Sequence, residues 1–76
     1  MSRTVVIVEK DGMFGLLSLD RKPETTTLTN FDPRSRSAYF RSYGDPAEAG
    51  KDFNEALATT RDRGWSVVWS GAPNWG

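Results

Sequence analysis

The stretch that decides the fold is Thr4-Val5-Val6-Ile7-Val8-Glu9-Lys10-Asp11-Gly12-Met13-Phe14-Gly15-Leu16-Leu17-Ser18-Leu19. Two apolar runs flank Asp11-Gly12. Asp-Gly in that setting is the strongest short-range hairpin signal, because both central residues of a type I′ turn need positive φ. The first strand is predicted over Arg3–Lys10, where β-branched residues dominate, and the second over Met13–Asp20. A two-residue turn sets Lys10 opposite Met13, Ile7 opposite Leu16 and Val6 opposite Leu17. Thr4, Val6, Val8, Leu17 and Leu19 then share one face, and Val5, Ile7, Phe14 and Leu16 share the other. An antiparallel sheet with one solvated face alternates apolar and polar residues. This hairpin is apolar on both faces, so it is expected to be covered on both sides.

Working outward, Arg21-Lys22-Pro23-Glu24 reads as a turn, with Pro23 breaking the ladder. Thr25–Phe31 is a threonine-rich third strand, and Asp32-Pro33 opens another turn. The fourth strand is predicted over Ser37–Tyr43. Its alternation puts Ala38 and Phe40 on one face and Tyr39, Arg41 and Tyr43 on the other. A helix follows. Asp45 is its N-cap, Pro46 its first residue and Glu48 the partner in a capping box. Gly64 ends it, with Arg61 and Arg63 in the last turn, where cations suit the helix dipole. Ala49, Phe53, Ala56, Leu57 and Thr60 recur at helical spacing as one apolar stripe. The fifth strand, Trp65–Ser70, alternates Trp65, Val67 and Trp69 against Ser66, Val68 and Ser70. Residues 71–76 form a tail carrying Trp75.

The layout is β-β-β-β-α-β: an α+β fold, a mostly antiparallel sheet of four to five strands with one helix packed on one face. Residues 1–76 make a single domain. Phe53 and Leu57 are expected to meet Ala38, Phe40, Trp65, Val67 and Trp69. In the alternative orientation of the last strand, both tryptophans face outward and Val68 packs inward. One helix covers one face only. The other should present Tyr39, Arg41, Tyr43, Val68 and one apolar side of the hairpin, and such a patch marks a contact surface.

Composition narrows the function. The 76 residues include no cysteine and no histidine, so disulfides, thiolate metal sites and Ser-His or Cys-His nucleophilic pairs are all excluded. Asp52 and Glu55 stand three apart on the helix and read as a solvated pair rather than catalytic carboxylates. No phosphate-binding glycine loop or calcium loop occurs. An enzyme is not expected, nor a cofactor, nor a metal. Ten Lys and Arg balance ten Asp and Glu. The balance is global but not local. Residues 31–44 carry Arg34, Arg36 and Arg41 against Asp32, a surplus of +2, and residues 45–64 carry Lys51, Arg61 and Arg63 against Asp45, Glu48, Asp52, Glu55 and Asp62, a deficit of −2. The four apolar residues Val5–Val8 are too few for a secretory signal or a membrane span. With no cysteine, a cytoplasmic location is expected.

The expected activity is binding. The first reading is a protein–protein interaction module, a homodimer or a subunit docked on a protein partner, with Tyr39, Arg41 and Tyr43 at the centre of the contact, Arg34 and Arg36 beside it and Trp75 as an anchor. The alternative is a single-stranded nucleic-acid binder that stacks bases on the same Tyr and Arg face. Ala49-x-x-x-Phe53 with a helix end at Gly64-Trp65, after four strands, resembles WGR-type domains, small modules of strands and one helix, several of which bind nucleic acid. The likeness is architectural and covers about residues 37–69. The Trp-Gly-Arg motif itself is absent, so no residue role follows from it.

Overall fold

Asp11 and Gly12 both take positive φ, 54° and 81°, and the type I′ hairpin forms at the expected place. The computed structural model describes residues 2–71, and the tail residues 72–76, with the anchor Trp75, lie outside the described residues. Strand β1 (Ser2–Lys10) pairs antiparallel with β2 (Met13–Arg21) in the predicted register, Lys10 opposite Met13 and Val6 opposite Leu17. Strand β3 (Thr26–Asp32) lies beside β2, and β4 (Ser37–Tyr43) beside β3. After helix α1 (Pro46–Asp62), strand β5 (Ser66–Gly71) returns to the far side of β1. The sheet order is β4-β3-β2-β1-β5, with every pairing antiparallel.

Local chemistry sets the helix ends. Asp45 Oδ1 accepts the Ala47 N–H at 2.9 Å, satisfying one of the free donors of the first turn. At the other end Gly64 has φ 97°, its N–H donates to Arg61 O at 3.0 Å, and the Trp65 N–H donates to Thr60 O at 3.3 Å. Those two bonds make a Schellman motif, which needs a left-handed residue and so favours glycine. The motif turns the chain back so that Trp65 lands on the core. Lys10 Nζ donates to Arg63 O at 2.7 Å and ties the top of β1 to the helix C-terminus.

The helix lies over β2, β3 and β4. It buries Ala49 and Phe53 against Val6, Val8, Leu17, Leu19 and Leu28 of the sheet, with Ala56 and Leu57 partly buried beside them. Tyr43 and Trp65 close the core from the two ends of the helix. Ala49 is fully buried, and its small side chain lets the helix approach the sheet.

Two strands differ from the expectation. In β4, Tyr43 pairs with Thr26, Arg41 with Leu28 and Tyr39 with Asn30. Leu28 is a core residue under the helix, so Tyr39, Arg41 and Tyr43 stand on the helix side, while Ala38 and Phe40 stand on the open side. The cause is the β3–β4 turn. Asp32 accepts the Arg34 N–H on its side chain at 2.9 Å and the Arg36 N–H on its carbonyl at 3.1 Å, and Arg36 takes φ 56°. This four-residue loop sets Ser37 opposite Asp32 and fixes the parity of the whole strand. In β5, Ile7 pairs with Trp69 but Val8 pairs with Val67, so Val68 is an extra, bulged residue. A bulge of one residue reverses side-chain parity. Trp65 is therefore buried at 7 % exposure in the core while Trp69, four residues on, faces the open side at 44 %.

Candidate contact face

The open face is built from alternate residues of five strands. One cross-strand row runs Phe40, Thr29, Ser18, Val5, and the next runs Ala38, Phe31, Leu16, Ile7, Trp69. The aromatic side chains rise at the two edges of the sheet, Phe40 on β4 at 66 % exposure and Trp69 on β5. Between them, Ser18 and Thr29 on the central strands are shorter. Between the two edges lies a hollow of about 520 Å³ lined by Val5, Ile7, Leu16, Ser18 and Thr29 and walled by Phe40 and Trp69. Phe14 stands exposed further along β2.

An ion pair closes within this face. Arg3 Nε and Nη2 donate to Asp20 Oδ1 and Oδ2 at 2.8 and 2.7 Å, a bidentate pair at one end of the hollow. The pair holds the Asp20 carboxyl below its ordinary range and raises the Arg3 guanidinium, the hydrogen bonds being the main cause in both. Glu9, at the opposite end of the face, accepts the Gly12 N–H at 2.9 Å.

The residues expected at the contact centre stand on the helix side of the sheet. The Tyr43 hydroxyl donates to Asp52 Oδ2 at 2.7 Å, and the residue is 8 % exposed. That hydrogen bond, with burial, raises the phenol above its ordinary value. Arg41 lies 5.0 Å over the Tyr43 ring and 3.9 Å from the Asp52 carboxylate. Tyr39 is exposed on the same side, opposite Asn30. Arg34 reaches 5.6 Å over the Trp65 ring and pairs with Asp32 at 3.4 Å, again on the helix side. The Asp32 carboxyl is held low by the Arg34 backbone N–H and then by its guanidinium. Arg36 occupies the exposed β3–β4 turn. None of the five stands among the residues of the hollow. Sequence reasoning found Val5, Ile7 and Leu16 from the hairpin register, placed Phe40 under the helix, and had Trp69 outward only in the alternative orientation of the last strand, which turned Trp65 outward as well. The turn Asp32–Ser37 carried the signal for Phe40; nothing in the sequence of β5 announces its bulge.

A second, smaller hollow of about 80 Å³ opens on the helix side between Asn30, Asp32, Arg34, Thr60, Arg63 and Trp65. Among the described residues no three acidic side chains converge as metal ligands, and no helix is long and apolar enough to cross a membrane. Comparison with protein-family models, with curated proteins and with solved structures gives no match.

Proposed function

We propose that this domain is a non-catalytic interaction module that acts by burying its uncovered sheet face against an apolar protein surface. The supporting observation is the pairing of Phe40 and Trp69 around an apolar hollow on a face whose ionic pair is satisfied internally. Contact cores are depleted in charge and enriched in aromatic residues, which is the character of this face. The absence of cysteine suits a reducing compartment, and the cytoplasm is the proposed location. The single-strand alternative required an exposed Tyr and Arg platform. Tyr43 is buried and Arg41 is stacked on it, which weakens that platform for either reading, and the open face supports protein contact through Phe40 and Trp69 instead.

A photo-crosslinking phenylalanine analogue placed at Phe40, and separately at exposed Asn54 on the helix, tests this in cells. Protein adducts from position 40 and not from position 54 are expected. Equal labelling from both positions, or none from position 40, would sink the proposal.

A further inference from the structure

Building on that reading, we infer that the occupant of the open face is a second copy of this chain, seated face to face about a two-fold axis, with Trp69 of each copy lying in the hollow of the other. Three features of the face point to a like surface rather than an unlike one.

The first is shape. The face carries both a hollow of about 520 Å³ and the exposed aromatic side chains at its rim. An isologous contact requires one patch to be complementary to itself, which means holding both projection and recess. The floor of this recess is low because Ser18 and Thr29 stand where larger residues would fill it.

The second is charge. Two copies facing one another oppose each surface to its own sign, so a face with unbalanced charge repels itself. Here the Arg3–Asp20 pair closes within each copy at 2.8 and 2.7 Å, which leaves one carboxylate, Glu9, at the far end of the face, where the Gly12 N–H donates to it. The acidic and basic segments of the chain meet on the opposite side, at Asp52 and Arg41.

The third is size. Five strands of six to nine residues make a face of roughly 600 Å² from ordinary strand spacing and rise. A standard stable interface buries about 800 Å² per partner.

Sedimentation equilibrium of the full chain, from low micromolar to several hundred micromolar, tests the inference. The wild type is expected to reach twice its monomer mass. Trp69→Ser and Phe40→Glu should each weaken the dimer by at least about 30-fold, the scale of an interface hot spot. Tyr39→Ser, an exposed aromatic on the helix side, should leave the dimer unchanged. Far-ultraviolet circular dichroism checks that each variant keeps its fold; both contact residues are solvent-exposed in the monomer, so both variants should. A wild type that stays monomeric at the highest concentration overturns the inference, as does a dimer indifferent to both substitutions. The crosslinker at position 40 separates this failure from failure of the broader reading. Adducts with a different protein alone overturn the second copy and leave the face as a contact surface. No adducts at all remove both.

Discussion

The hydroxyl of Tyr43 donates a 2.7 Å hydrogen bond to Asp52 and so joins the edge strand β4 to the helix that follows it. Arg41 approaches the same carboxylate at 3.9 Å. The basic strand and the acidic helix, opposite in local charge in the sequence, meet through these contacts. Tyr43→Phe keeps the buried ring and removes only the donor. A hydrogen bond to a charged group is worth about 1.5–3 kcal/mol, and solvent reaching Asp52 favours the low end. Urea unfolding should show a lower midpoint with an unchanged m-value. An unaltered midpoint would mean that water replaces the bond at no cost.

The same contact predicts an alkaline limb. The Tyr43 phenol is raised by donating to Asp52 and by burial. A group whose folded pKa lies above its unfolded one stabilises the fold below the unfolded value, about 10 for tyrosine. That stabilisation disappears as pH rises through the folded value. Melting temperature followed above pH 9 should fall more steeply for the wild type than for Tyr43→Phe.

Asp20 predicts the opposite limb. Its carboxyl is lowered, first by the hydrogen bonds from Arg3. The stabilisation it brings is present above the unfolded value, about 3.9, and is lost as pH falls through the folded one. Asp20→Asn should flatten stability between pH 4 and pH 2, measured by thermal melts in citrate and phosphate. Parallel curves for the two proteins would show that this pair contributes nothing to acid stability.

Two helix glycines should respond in opposite directions. Nothing lies within 4 Å of a Cβ built on Gly50, which sits inside the helix. Gly50→Ala should stabilise by about 1 kcal/mol, the difference in helix propensity. Gly64 has φ 97°, and a side chain in left-handed conformation costs about 1–2 kcal/mol. Gly64→Ala should therefore destabilise. Chemical denaturation of the pair gives both signs in one experiment, and equal signs would contradict the helix boundaries described above.

Gly15 is a packing requirement rather than a conformational one. A Cβ there would lie 3.1 Å from the Phe31 carbonyl oxygen and 3.2 Å from Val8 Cγ2. Backbone cannot retreat cheaply inside a sheet. Overpacking of this kind costs about 1–3 kcal/mol, so Gly15→Ala should lower the unfolding midpoint. A neutral effect would show that β2 and β3 separate freely at this end.

The sequence disclosed whatever short-range chemistry controls. The Asp11-Gly12 turn fixed the β1–β2 register, and Asp45-Pro46 with Gly64 fixed the helix, because caps and turns depend on residues a few positions apart. The open face was half legible. Val5, Ile7 and Leu16 follow from the hairpin, but Phe40 and Trp69 depend on parity carried through longer connections. For β4, alternation tells which residues share a side but not which side meets the helix. The loop from Asp32 to Ser37 decides that, and Tyr43 follows it inward because its hydroxyl has Asp52 to reach. For β5, alternation was assumed unbroken and the bulge at Val68 broke it. A bulge is set by how a strand fits its neighbour, which composition does not record.

That extra residue in β5 divides the labour of two tryptophans spaced as if they were equivalent. Trp65 serves the interior and Trp69 the exterior, so mutations at one are invisible to the layer served by the other. The outer side can change its surface by drift at Phe40, Thr29 and Trp69 with little effect on the core. An insertion or deletion of one residue between positions 66 and 68 has no such freedom. It would exchange inside for outside along the rest of the strand, and lineages carrying this domain should tolerate substitution there far more readily than a change in length.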